Sequence, residues 1–428
     1  MLRKTRAAAA LMCLLLLLSL TAGCQKEKTF KVNAPKTAAL ALPRYRTETV
    51  EYTLPEEARV PYREGLQPYL RTMIPVLLAD AGEENAACSP LNIYMALAML
   101  AEITDGESRA QLEALLGAET PQLRDWASDL WQKNYHTVGD SQVLLGASLW
   151  LNEGMTFKKD TLNLLADRYY AAVYQGKMGS EAFSRTYRDW MNEHTGGLLA
   201  DQISGMSLPE NLALNLTATV YFTGSWSKPF NENRTLQQIF YAPDGETRVP
   251  MMKKSKNMAY YWGERFTAVS LPMNLGRMWF ILPDEGYTPA DLLADEQAMD
   301  FLLCGGEWED KRQLKVHLSV PRFDIADQMQ LIGDLQALGV SAVFQTESSD
   351  FSPVTDEHGL SVSRIIHGVR VKIDEEKVEA AAYTSVTAPT AALPQELEEI
   401  DFTLDRPFLF TITGFDNMPL FTGIVNRP

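Results

Sequence analysis

The chain has 428 residues, a formal net charge of -16 at pH 7 and 46% hydrophobic content. That is enough apolar material for a sizeable core, and so acidic a surface excludes nucleic acid as a partner, because binding phosphates needs a basic face. At roughly 150 residues per domain the length would give two or three domains, yet no Pro/Gly/Ser-rich linker interrupts residues 60 to 428, so one domain is expected there.

Residues 1–23 read as a targeting segment rather than structure. Arg3, Lys4 and Arg6 form a basic start, and Ala7 to Leu20 an apolar run too short for a comfortable membrane span. The stretch Leu20-Thr21-Ala22-Gly23-Cys24 resembles a bacterial lipoprotein box with Cys24 as the lipid-modified first residue; Thr21 departs from the Leu favoured there. The alternative is an ordinary secretory signal with an incidental cysteine. Residues 24–59 are then the lipidated N-terminus and a tether, rich in Ala, Pro, Thr and Lys. Several acyl chains, at about 0.8 kcal/mol per buried methylene, would hold the protein on a membrane. The expectation is an exported cell-surface lipoprotein.

Arg63 to Ala81 shows helical apolar spacing, and Leu91 to Ile103 is apolar all round, hence a buried helix. Further helices are predicted over Ser108–Leu116, Pro121–Asn134, Lys158–Tyr170 and Phe183–Glu193, the last capped by His194-Thr195-Gly196-Gly197, with a strand over Val143–Leu151. From Ala213 onward strands dominate, with helices only near Pro289–Leu303 and Asp327–Leu338. Helices first and strands later is an α+β order, not alternating βαβ.

Enzymatic motifs are missing from the pattern. No pair among His136, His194, His317, His358 and His367 has ligand spacing, and there is no Gly-x-Ser-x-Gly elbow, phosphate-cradling loop or dinucleotide fingerprint. No metal or cofactor is nominated, and the protein is not expected to be an enzyme. Once Cys13 leaves with the signal and Cys24 carries lipid, Cys88 and Cys304 remain. They read as buried thiols, with a Cys88–Cys304 disulfide as the alternative.

The most informative stretch is 374–389, DEEKVEAAAYTSVTAP. Every second residue forms one stripe, Val378, Ala380, Ala382, Thr384, Val386 and Ala388, all small and mostly apolar. Period-two alternation marks a strand with one buried face, and small side chains suit a strand sliding between neighbours already in place. Yet the segment is Ala-rich, a poor choice for a permanent strand. It runs on through Pro389-Thr390-Ala391-Ala392-Leu393-Pro394, an exposed, cleavable kind of loop.

This stretch resembles the hinge and reactive loop of serpins, the serine protease inhibitors. The hinge matches at Glu375, Glu376, Lys377, Val378, Glu379, Ala380, Ala381 and Ala382. Lys377 stands where the family prefers Gly, and Val378 where it prefers Thr or Ser. Resemblance extends to Asn215–Phe230, Val249–Met252, Phe280–Pro283, Leu318–Phe323, Leu338–Phe344 with Asp350-Phe351-Ser352, Ile366-His367, Asp405–Phe410, Pro419–Gly423 and Ser89–Met99. Order and spacing together carry it from about Val60 to Pro428.

The resemblance implies a single serpin domain over 60–428, with three β-sheets, eight or nine helices and a reactive loop at about 375–400. It implies a suicide-type inhibitor, monomeric, whose loop is cleaved by a serine protease and then inserts into the central sheet. Counting from the hinge places the scissile bond at Ala391-Ala392, with Thr390-Ala391 or Ala392-Leu393 as alternatives. Such a bond suits an elastase-like or subtilisin-like protease with a small primary pocket; residues 378–405 contain no Lys or Arg for a trypsin-like one. By the same resemblance Trp226 lies where insertion begins, and Ser89, Asn92 and His367 in the polar cluster that lets the sheet open. The family's usual Asn there falls at Ala218, and Asn92 is expected to supply the missing amide. The acidic run Glu396, Glu398, Glu399 and Asp401 is either a solvated loop or a steering patch. The alternatives to suicide inhibition are a non-inhibitory serpin-fold binding protein, favoured by Lys377, and a cross-class inhibitor of cysteine proteases.

Overall fold

The computed structural model describes residues 39–43, 61–138, 141–197, 199–375, 397–414 and 416–428. A short strand β1 (Ala39–Ala41) comes first, within the segment read as a tether, and is followed by α1 (Pro61–Leu78) and β2 (Ala86–Cys88). Six helices and three strands build the next third: α2 (Pro90–Glu102), α3 (Gly106–Leu116), α4 (Thr120–Asn134), β3 (His136–Val138), β4 (Ser141–Asn152), α5 (Lys159–Arg168), β5 (Ala171–Gly176), α6 (Glu181–His194) and α7 (Ala200–Ile203). As the apolar run 91–103 predicts, nearly every residue of α2 is buried.

Strands then take over: β6 (Leu214–Thr223), β7 (Leu236–Ala242), β8 (Gly245–Trp262), β9 (Phe266–Met273) and β10 (Gly276–Pro283). The predicted helix 289–303 is two, α8 (Pro289–Leu293) and α9 (Glu296–Leu303). Thr288 closes a capping box on α8, and the Asp295 carboxylate accepts the Ala298 N–H at 2.9 Å to start α9. β11 (Lys311–Pro321) and β12 (Phe323–Gln330) precede α10 (Ile332–Ala337), and the chain ends with β13 (Ile366–Ile373), β14 (Glu399–Thr403), β15 (Phe408–Thr413) and β16 (Pro419–Val425). The helix expected over Asp327–Leu338 is thus a correction. Asp327 to Gln330 pair with Ile366–Val369 in an antiparallel ladder, and only the part after Leu331 is helical. Cross-strand pairing has overridden local helical spacing.

Ten α-helices and three sheets are present among the described residues. The α+β expectation with three sheets holds. In the nine-stranded sheet β14, β11, β8, β9, β10, β15, β16 and β2 follow one another, with β7 also on β8. The five-stranded sheet runs β1-β5-β4, with β3 and β6 both on β4. β12 and β13 form the third sheet by themselves. The core lies between these sheets and α1–α4, with Tyr62, Tyr69, Tyr94, Trp150, Phe402 and Phe410 among its fully buried large side chains.

Candidate functional site

β6 and β13 lie side by side yet share no ladder: β6 is paired to β4, and β13 to β12. Two cavities open along this seam. One, of about 50 Å³, is backed by α2 and includes Asn92, Ala218 and His367. The other, of about 160 Å³, lies under α6 and the chain that follows it, and includes Tyr187, Thr217, Thr219 and Gly368. Backbone donors and acceptors on unpaired strand edges are a template for a further strand.

At the lower station of the seam, Ser89 precedes α2 and donates its backbone N–H to His367 Nε2 at 3.0 Å. That bond needs Nε2 unprotonated. Burial pushes the His367 imidazole down to about 4, so at neutral pH it is uncharged and carries its proton on the other nitrogen. Ser89 Oγ is buried without a hydrogen-bond partner. Asn92 is 4% exposed and lines the smaller cavity with His367, but no hydrogen bond joins its amide to the imidazole among the described residues. The expectation that Asn92 replaces the amide missing at Ala218 is therefore corrected: it shares the cavity, while His367 is held by the Ser89 backbone instead. The short Asn side chain on α2 and the β13 ring face one void rather than each other.

At the upper station, β13 leads into Asp374 and Glu375, and β6 is followed by Gly224 and Trp226. The Trp226 indole N–H donates to the Asp374 carbonyl at 2.8 Å. Glu375 is only 3% exposed, so its charge must be met. Arg322 Nε donates to Glu375 Oε2 at 2.5 Å, and Thr235 Oγ1 donates to Oε1. Burial works to raise the Glu375 carboxyl; the Arg322 and Thr235 hydrogen bonds overcome it and hold the group below its usual range, ionised at neutral pH. Arg322 and Thr235 were not singled out from the sequence. The only available signal was indirect, a buried acid needing a cation, and nothing local says which.

The rest of the hinge, Glu376, Lys377, Val378, Glu379, Ala380, Ala381, Ala382 and Thr384, and the bond region Thr390, Ala391, Ala392 and Leu393, lie outside the described residues, as does Cys24. Description resumes just before β14. There Glu399 accepts from Lys315 Nζ at 2.8 Å and meets His317 Nε2 at 2.8 Å, while Ser255 Oγ meets His317 Nδ1 at 2.8 Å. Hydrogen bonds from Lys315 and then His317 hold the Glu399 carboxyl below its ordinary value. Glu398 and Asp401 are exposed, so of the described acidic run only Glu399 is committed to cations across the strands. Cys88 is a buried free thiol and Cys304 a partly buried one; the disulfide alternative does not occur.

The named residues thus form two stations on one seam, Ser89–His367 with Asn92 below and Trp226 with the Glu375 ion pair above, rather than one cluster. Nothing among them forms a nucleophile with its base.

A family model described as Serpin (serine protease inhibitor) matches residues 72–428. Plasminogen activator inhibitor 1 of Neovison vison is 26% identical over 374 residues, covering 81% of this chain and 88% of the relative. Corticosteroid-binding globulin of Oryctolagus cuniculus is 28% identical over 375 residues, covering 82% of this chain and 92% of its own. The crystal structure of a thermophilic serpin, tengpin, in the native state is similar at a TM-score of 0.74 and 23% identity, over 91% of this chain and 99% of that one, a likeness of fold.

Proposed function

This chain belongs to the serpin family, whose members are mostly protease inhibitors and not enzymes, and on that premise we propose that it is a suicide-type inhibitor of serine endopeptidases with a small primary pocket, elastase-like or subtilisin-like. The observation that carries the proposal is the seam: two neighbouring strands without a shared ladder, cavities along it, and a hinge that enters at its upper end from Glu375. The protease serine attacks the Ala391 carbonyl, the Ala391-Ala392 bond breaks, Ala392 leaves as a new amine, and an ester joins the protease to Ala391. Freed at that end, the strand Val378 to Ala388 slides between β6 and β13 and carries the ester with it. About a dozen residues gain ladder bonds on both edges, at roughly 0.5–1.5 kcal/mol net each, on the order of ten kcal/mol in sum. Its inward stripe carries no charge and no bulky group, so burying it adds apolar stabilisation at about 25 cal/mol per Å². Lys377 belongs to the outward stripe and keeps its charge in water. In the same proposal Cys24 bears lipid, and the inhibitor works as a monomer at the outer cell surface.

Incubation of the chain from Gln25 onward with pancreatic elastase, followed by a denaturing gel, tests this. The expected result is a stable band near the summed masses, with a peptide released from within 389–394. Clean cleavage with neither a complex nor a gain in heat stability would move the protein to the non-inhibitory binders, the function that the name of corticosteroid-binding globulin gives to that relative.

A further inference from the structure

Away from the seam, on the outer face of the sheet that β14 edges, a nucleophile does stand beside a base. β11 alternates along its middle: Leu314, Val316 and Leu318 are buried, and Lys315 and His317 between them are partly exposed. Register decides what these two meet. His317 lies opposite Ser255 of β8 and Asp401 of β14, while Lys315 lies opposite Asn257 and Glu399. Ser255, Asn257, Glu399 and Asp401 are all exposed. None of these groups belongs to the seam.

Contacts across the three strands form a chain. Ser255 Oγ lies 2.8 Å from His317 Nδ1, and His317 Nε2 lies 2.8 Å from Glu399 Oε2. Lys315 Nζ donates to the other carboxylate oxygen at 2.8 Å. Hydrogen bonds from Lys315 and His317 keep Glu399 ionised, and an ionised carboxylate only accepts. In the neutral ring the proton is therefore on Nε2, and Nδ1 is left as an acceptor for the Ser255 hydroxyl. This is the relation that activates a serine: a hydroxyl within hydrogen-bond reach of a base, and the base oriented through its other nitrogen by a third group. Ser204, also exposed, lacks it; its hydroxyl donates to the Asp201 carbonyl at 2.9 Å.

We propose that Ser255 is an acyl-accepting nucleophile for small activated carboxylic esters, with His317 as its general base and Glu399 as the residue that positions the base. Exposure on a strand face sets the class, a short acyl group on a good leaving group. Oγ attacks the ester carbonyl carbon as its proton passes to Nδ1. The tetrahedral oxyanion then collapses, the bond to the leaving alcohol breaks, and that alcohol takes the proton from Nδ1. The acyl group remains as an ester on Oγ. While the ring is doubly protonated, the Glu399 carboxylate meets its charge from the Nε2 side. Asn257, two residues along β8, has an amide without a hydrogen-bond partner among the described residues, free to donate to the oxyanion.

The test is incubation of the full chain with p-nitrophenyl acetate, followed by intact-mass measurement and peptide mapping, with Ser204 as the reference inside the same molecules. Acetylation of Ser255 is expected at about a hundredfold the rate at Ser204, the low end of what a positioned general base contributes. His317→Gln should remove that advantage. Glu399→Gln should weaken it by about tenfold, because a carboxamide can donate to Nε2 and turn the ring proton toward the serine. Glu399→Asp keeps the charge and should restore part of the rate, a split that a merely structural role for Glu399 does not give. Should a variant fail to fold, the ratio of Ser255 to Ser204 in the unaltered chain decides by itself. Acetylation no faster at Ser255 than at Ser204, acetylation of Lys315 in its place, or a Ser255 rate unchanged in folded His317→Gln would overturn the proposal.

Discussion

β15 and β16 are buried along their whole length and pair with each other between β10 and β2, whereas β6 and β13 lie together with no ladder between them. Both regions are sheet over a hydrophobic core, yet one has no spare space and the other has cavities. At Gly423 in β16 a Cβ would come within 2.5 Å of the Ala86 carbonyl and 2.6 Å of the Phe410 ring; at the seam, voids of about 50 and 160 Å³ flank the strands. The first region is finished, and its packing fixes one structure. The second is a seam between two sheets, with cavities along it and polar contacts at its two stations. Stability in such a molecule is unevenly placed, and substitutions should report which region they touch.

The largest effect is expected in the finished sheet. Phe410→Ala removes a ring with no exposed surface and should cost about 3–5 kcal/mol, seen as a large drop in thermal midpoint with no change in the loop's cleavage site. Loss of similar stability at the seam from an equally small change would erase the contrast between the two regions.

Next comes pH. His367 and His194 are both buried and lowered to about 4 by burial. The folded state excludes a proton that the unfolded state accepts near 6.5, so their stabilisation is full above that value and is lost as pH falls from about 6.5 to about 4. Each would contribute about 3 kcal/mol across that window. Denaturant unfolding from pH 7 to 4 should show the slope, and His367→Gln should flatten part of it. An unchanged slope in that variant would remove the lower station from the account.

Arg322→Ala should follow, at about 1–3 kcal/mol, because it leaves the buried Glu375 carboxylate with Thr235 as its remaining side-chain donor. Tryptophan fluorescence with thermal unfolding would read both the loss and any change around Trp226. Asn92→Ala should have the smallest effect, below about 1 kcal/mol, since its amide bonds neither His367 nor another described residue. A fall as large as that of Arg322→Ala would mean that the amide acts across the cavity after all.

Much of this was legible from the chain. The burial of α2 followed from an apolar run, and the helices-then-strands order from the change of period at Ala213. The family declared itself through motifs dispersed from Ser89 to the C-terminus; the alternation of Val378 to Ala388 lies outside the described residues. Where the sequence misled, the cause was non-local. Asp327 to Gln330 have helical spacing but were recruited by β13. Asn92 stands near His367 in the family's pattern, but a small offset between a helix and a strand left a void between them.

What the sequence determined by itself was most of the elements and the family, because periodicity and side-chain size are properties of adjacent residues. Only the tertiary structure decided that β6 and β13 share no ladder and that Arg322 and Thr235 meet Glu375. Those facts join residues tens to more than a hundred positions apart, and the partner of a buried charge or the width of a gap is set by how whole elements pack, which no local pattern encodes.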